Sequence, residues 1–383
     1  MSSTKTSNYP CKSTRRGPSK TRIALEYSDG TLCICYPAML ITVLLLQLAV
    51  AAVPALLFKD PVYTAGPLPS NELNSIVSAV ADPASLAQLI SCLFGRTILQ
   101  VGQINSEFEK VHKTSITAFL SESRTIGSGL YSKSEVIEVI RWIVTDLNSS
   151  RAFVLRGLVV GARNSANTLQ DRNVGVVDVM LGLELKDVMS VAKIYTTNYS
   201  ERMESTLVEK ISDIRTRTFI LSLIGTPKLR HDDDAFEQIA IDEVSLEANG
   251  NSRNYLIDYT TTRSYLHIMA VLEFYMIKKG GSIYKEVSDG VKVMNQIAPN
   301  SLIAFQDAPM YLAYRIRECL ANKKVDVLMR ILALNRERIN DVKTDYTTAF
   351  KGDLYADIAH GLTGLFQQMA LGLVGSGPGT IFQ

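Results

Sequence analysis

The residues best able to do chemistry are few and poorly gathered. The run His231-Asp232-Asp233-Asp234 is the densest group of potential metal ligands, but consecutive carboxylates do not converge on an ion without a cage built around them. It follows Pro227 in a polar linker and reads as a solvated helix start, where negative charge meets the positive end of the helix dipole. His112, His231, His267 and His360 stand singly, none with a second ligand at the helical spacing zinc requires. The five cysteines have no regular spacing, so they suggest neither a disulfide framework nor a metal pattern. Only Cys92 and Cys319 fall in the main body, which suits a reducing compartment. No Gly-x-Ser-x-Gly elbow, phosphate loop or dinucleotide fingerprint occurs, and the glycine-rich tail GSGPGTIFQ has no helix after it to present amides. These residue types point to a binding protein or scaffold and not to an enzyme.

The elements that would carry them repeat. A signature of an apolar residue, three residues, an aromatic, seven residues and an apolar residue fits Ile104-Phe108-Ile116, Val191-Tyr195-Met203, Val271-Tyr275-Ile283 and Val342-Tyr346-Leu354. Four residues beyond each last anchor stands another apolar side chain: Leu120, Leu207, Val287 and Ile358. Ser115, Ser282 and Asp353 precede the last anchor as helix N-caps would, while Arg202 departs from the pattern. The clearest copy is the last, where Val325, Leu328, Met329, Ile331 and Leu332 share one helical face and Gly352-Asp353 and Thr363-Gly364 interrupt the periodicity. Helices this short bury their stripes against one another or do not form, and an internal repeat of this length predicts tandem units sharing one core.

With these marks the chain resembles the annexin family. Arg96-Thr97, Gln100 and Ile104 are similar to the family's pattern at the end of the second helix and start of the third, and Arg263-Ser264, Ile268 and Val271 match it again. GDLYADIAHGLTG and the closing LGLVGSG are similar to its last helices. The second copy has Leu183 where the arginine belongs, and the fourth is one residue short there; this divergence resembles that of the alpha-giardins. The resemblance implies an all-α fold of four tandem five-helix repeats in a curved disc. It also implies calcium-dependent binding to acidic phospholipid at the cytoplasmic face of a membrane.

In that family the resemblance places calcium between the carbonyls of a Gly-x-Gly-Thr loop, joining the first two helices, and a carboxylate on the fourth. Calcium takes six to eight oxygens, so lipid phosphate and water would complete the shell. The corresponding loops here are Ala81-Asp82-Pro83-Ala84, Thr168-Leu169-Gln170-Asp171, Ala248-Asn249-Gly250-Asn251 and a stretch near Ala321-Asn322, none of them Gly-x-Gly-Thr. At the carboxylate position stand Ser123, Lys210, Gly290 and Gly361. Glu122, Glu209 and Asp289 lie one residue early, about 100° around the helix. Ala248, Gly250 and Asp289 are the candidate calcium ligands, in degenerate form; the alternative for Asp289 is a solvated surface acid. A second functional reading follows, a calcium-independent scaffold associated with the cytoskeleton.

The expected organisation is a basic tail over 1–37, a hydrophobic segment over 38–58, a linker over 59–71, and repeats over 72–145, 150–225, 235–306 and 310–375. A linker over 226–234 and a tail over 376–383 complete it. The segment 38–58 is long enough for a membrane-spanning helix of roughly 20 residues. It reads as a single-span anchor, a secretory signal, or a translated leader without physical role. Six of the 40 basic residues fall before residue 23, where there is no acid, leaving 34 against 38 acidic residues beyond it. A mildly acidic body argues against nucleic acid as partner.

Overall fold

The computed structural model describes residues 66–82, 86–122, 133–161, 169–180, 183, 185–211, 214–224, 236–249, 253–280 and 307–375. Among these residues every regular element is helical. The first group comprises α1 (Ser70–Ala81), α2 (Leu86–Leu93), α3 (Ile98–His112), α4 (Ile116–Glu122) and α5 (Lys133–Val144). The second comprises α6 (Leu147–Val160), α7 (Leu169–Met180), α8 (Leu185–Tyr199), α9 (Met203–Lys210) and α10 (Ile214–Ile224). The third is described through α11 (Phe236–Asn249), α12 (Arg253–Thr262) and α13 (Tyr265–Lys279). The last has α14 (Ala308–Asn322), α15 (Val325–Leu334), a 3-10 turn (Arg336–Arg338), α16 (Ile339–Phe350), α17 (Leu354–Gly361) and α18 (Gly364–Val374). The first, second and fourth groups are the expected five-helix units, and the third shows three helices, the rest of it lying outside the described residues.

One packing relation recurs in all four groups. The first helix lies against the third: α1 on α3, α6 on α8, α11 on α13 and α14 on α16. The aromatic anchors Phe108, Tyr195, Tyr275 and Tyr346 are the buried side chains of those third helices, each 2% exposed or less. Five residues past each anchor the helix ends in a left-handed residue, Lys113 (φ 58), Ser200 (φ 56), Gly280 (φ 67) and Lys351 (φ 55). Each of these donates its backbone N–H to the carbonyl four residues back at 2.9 Å. Only one of the four is glycine, although a side chain in this conformation costs about 1 kcal/mol. Lys351→Gly is therefore expected to raise stability by about 0.5–1 kcal/mol, net of the extra freedom glycine gains when unfolded. An unchanged or lower urea midpoint would contradict the assigned backbone.

Helix starts follow the same logic. Thr97 caps α3 in a reciprocal box with Gln100, and Ser264 accepts from the His267 amide at 3.0 Å to cap α13. Ser115 and Asp353 cap α4 and α17 as expected. Arg202 makes no side-chain cap, and Ser282 lies outside the described residues. The arginines preceding the third helices reach back to an acid on the first: Arg96 to Glu72 at 3.2 Å, and Arg263 to Asp242 at 3.0 Å. In the second group the corresponding Leu183 is buried instead.

Between groups, α5 packs on both α6 and α15, α18 packs on α2, and α10 packs on α12. The first group thus sits against the second and the fourth, and the second against the third. Trp142 on α5 is buried in this contact, as core and not as an exposed anchor. Ahead of α1, the Leu68 amide donates to Gln103 at 2.9 Å and the Gly66 carbonyl accepts from Gln100 at 3.1 Å. Among the described residues no helix is long and apolar enough to cross a membrane; the segment 38–58 and the run His231–Asp234 lie outside them.

Candidate functional site

Of the three candidate calcium ligands, Ala248 is described, and Gly250 and Asp289 lie outside the described residues. Ala248 is exposed in the last turn of α11. That turn is tied to the end of α13 by the ion pair of Glu247 with Lys279, and about a turn and a half earlier Glu243 pairs with Lys278 at 2.7 Å. The Lys279 hydrogen bond holds the Glu247 carboxyl below its usual range. Glu243 itself is wholly buried, with one oxygen on Lys278 and the other without a partner among the described residues.

The other carboxylate positions can be placed where they are described. Lys210, at the end of α9, is exposed and pairs with the neighbouring Glu209. Gly361 ends α17, and a Cβ there would come within 3.2 Å of Leu320 Cδ2 on α14. The α14–α15 and α17–α18 corners therefore meet. The first corner holds Lys323, exposed with φ 55, and Lys324, whose ammonium lies 3.9 Å from Glu318. The second corner opens α18 at Thr363, which makes no side-chain cap. The charges at the first corner are mixed, since Glu318 faces Lys324 and Asp326 stands exposed in the first turn of α15.

Sequence reasoning missed a polar junction in the interior. Asp178 on α7 accepts from Arg315 Nε at 3.0 Å and Nη2 at 2.9 Å and from the Tyr311 hydroxyl, all from α14. Burial works against the charge on Arg315, but the adjacent Asp178 carboxylate overrides it and holds the guanidinium protonated. Burial, reinforced by Asp178, pushes the Tyr311 hydroxyl well above its ordinary value. Cys319, one turn beyond Arg315, is pushed up to about 12 by burial and is inert as a nucleophile. On the other side of the junction Arg151 of α6 donates to the Leu334 carbonyl at 3.0 Å and to Glu337. Charged side chains on otherwise apolar helix faces were the available signal.

A second missed arrangement recurs. Arg156 and Arg317 occupy the same place on their helices, nine residues after Leu147 and after Ala308. They donate to the Tyr195 and Tyr346 hydroxyl oxygens at 3.3 Å and 3.2 Å and pair with Glu201 and Asp357. The Tyr346 hydroxyl donates to Asp357 at 2.6 Å; burial first, then this bond, pushes its pKa to about 12.

No protein-family model and no curated protein sequence matches this chain. Solved structures do. Chicken annexin V aligns with a TM-score of 0.66 at 17% identity, covering 83% of this chain and 100% of that one. Calcium-bound alpha-14 giardin aligns with a TM-score of 0.63 at 15% identity, over 80% of this chain and 99% of its own. Calcium-bound annexin (Sm)1 gives 0.58 and 15%, over 81% and 92%. The fold is the annexin fold, in the divergent range that also holds the alpha-giardins.

Proposed function

We propose that this chain is a non-enzymatic scaffold that binds acidic phospholipid surfaces, with calcium sites that are degenerate. The observation that carries the reading is the four-group annexin fold, matched over nearly the whole length of structures solved with calcium bound. Calcium would enter through Ala248, Gly250 and Asp289 in the third group. In the fourth group the carboxylate position is Gly361, packed against Leu320, and the α14–α15 corner carries Lys323, exposed, and Lys324, beside Glu318. Ammonium groups there would meet lipid phosphate directly, each contributing about 1 kcal/mol near an anionic surface. The second reading, a calcium-independent scaffold with protein partners of the cytoskeleton, is favoured by Lys210 and Gly361 at carboxylate positions.

Charge reversal separates the contributions. The double variant Lys323→Glu and Lys324→Glu is expected to weaken binding to phosphatidylserine vesicles in chelator by about tenfold or more, at roughly 1 kcal/mol per lysine lost. Asp289→Ala should remove only the calcium-promoted increment. Full binding by the double variant in chelator, measured by vesicle flotation, would refute the lysine contact.

A further inference from the structure

The junction between the first, second and fourth groups buries several guanidinium groups, and not all of their donors meet an acceptor among the described residues. Four guanidiniums lie there at 7% exposure or less: Arg151, Arg315, Arg330 and Arg336. Arg315 is answered by Asp178 and Glu318, and Arg151 by Glu337. Arg336 donates to the Trp142 carbonyl at 2.9 Å. Arg330, on α15, has a buried Nε with no acceptor among the described residues. Trp142 Nε1, on the facing helix α5, is likewise a buried donor with no acceptor there. The other charges that act here are Glu138, Arg141 and Asp326; Glu138 and Asp326 are exposed.

Glycine makes room for the guanidinium. A Cβ at Gly175 of α7 would stand 3.0 Å from Arg330 Nη2 and 2.9 Å from Leu158 Cδ2, so a larger residue would displace one of them. A buried cation without an acceptor is costly, and native interiors resolve that cost with a counter-charge or ordered water.

We propose that this junction binds one small inorganic anion of the halide class, with Arg330 Nε and Trp142 Nε1 as donors. The ligand is small because α15 packs against both α5 and α7 here, and singly charged because Arg330 is the guanidinium whose buried Nε has no acceptor among the described residues.

Trp142 is the sole tryptophan, so its emission reports the site without a label. The full chain is melted in sodium chloride and in sodium gluconate at equal ionic strength, and titrated with iodide. A saturating rise in melting midpoint with chloride is expected, about 4 °C at a hundred times the dissociation constant. Iodide should quench emission saturably, and chloride should compete with it. Arg330→Met should abolish both responses; Trp142→Phe should shrink the chloride shift, giving a readout if Arg330→Met does not fold. Equal midpoints in the two salts, with linear iodide quenching, would overturn the proposal and leave water on these donors.

Discussion

Asp178→Ala is expected to cost about 3–5 kcal/mol, the range for breaking a buried ion pair by removing one partner. Asp178 is 2% exposed at its side chain and Arg315 is 7% exposed. The carboxylate takes two hydrogen bonds from the guanidinium and one from the Tyr311 hydroxyl. Removing it strands a buried phenol and leaves Arg315 with only Glu318, which is 29% exposed and a weaker partner. Asp178→Asn should cost less, because the amide oxygen still accepts. Urea denaturation with an unchanged m-value reads the loss directly. A cost below about 1 kcal/mol would mean that the second and fourth groups do not meet through this residue.

The second large effect concerns the four aromatic anchors. Phe108→Ala, Tyr195→Ala, Tyr275→Ala and Tyr346→Ala should each cost about 3–5 kcal/mol, as truncation of a fully buried aromatic does. The four values should be similar, since each ring fills the crossing of a first and a third helix. Tyr346→Phe should cost only about 0.5–1.5 kcal/mol, the net value of a hydrogen bond. The groups it abandons, Arg317 and Asp357, are 51% and 31% exposed and can turn to water. A near-neutral Ala variant at any one anchor, by thermal or urea melts, would remove that group from the repeat.

What the sequence made legible follows from physics that is local. Apolar spacing placed the anchors because burial is periodic along a helix. The caps at Ser115 and Asp353 were legible because a cap and its helix adjoin in the chain. The left-handed residues were not, since only one of Lys113, Ser200, Gly280 and Lys351 is a glycine. The pairings within the interior junction were illegible for another reason. Asp178 and Arg315 are 137 residues apart, and Arg151 and Glu337 are 186, so neither pairing leaves a mark in any sequence window. Candidate calcium ligands are hard to read for a third reason: backbone carbonyls supply much of such a site, and any residue has one. Ala248 therefore looks like any exposed alanine at a helix end.

The charge arrangement links these elements to function. The interior arginines and acids join groups to one another. Lys323 faces outward at the α14–α15 corner, beside Lys324, which is half-buried and lies near Glu318.

Co-sedimentation of the full chain with phosphatidylserine vesicles, and with phosphatidylcholine vesicles as control, tests the central claim most directly. The account predicts pelleting with the acidic vesicles in chelator, an increment with millimolar calcium, and little pelleting with the neutral ones. A chain that stays in the supernatant with acidic vesicles, with and without calcium, would contradict it.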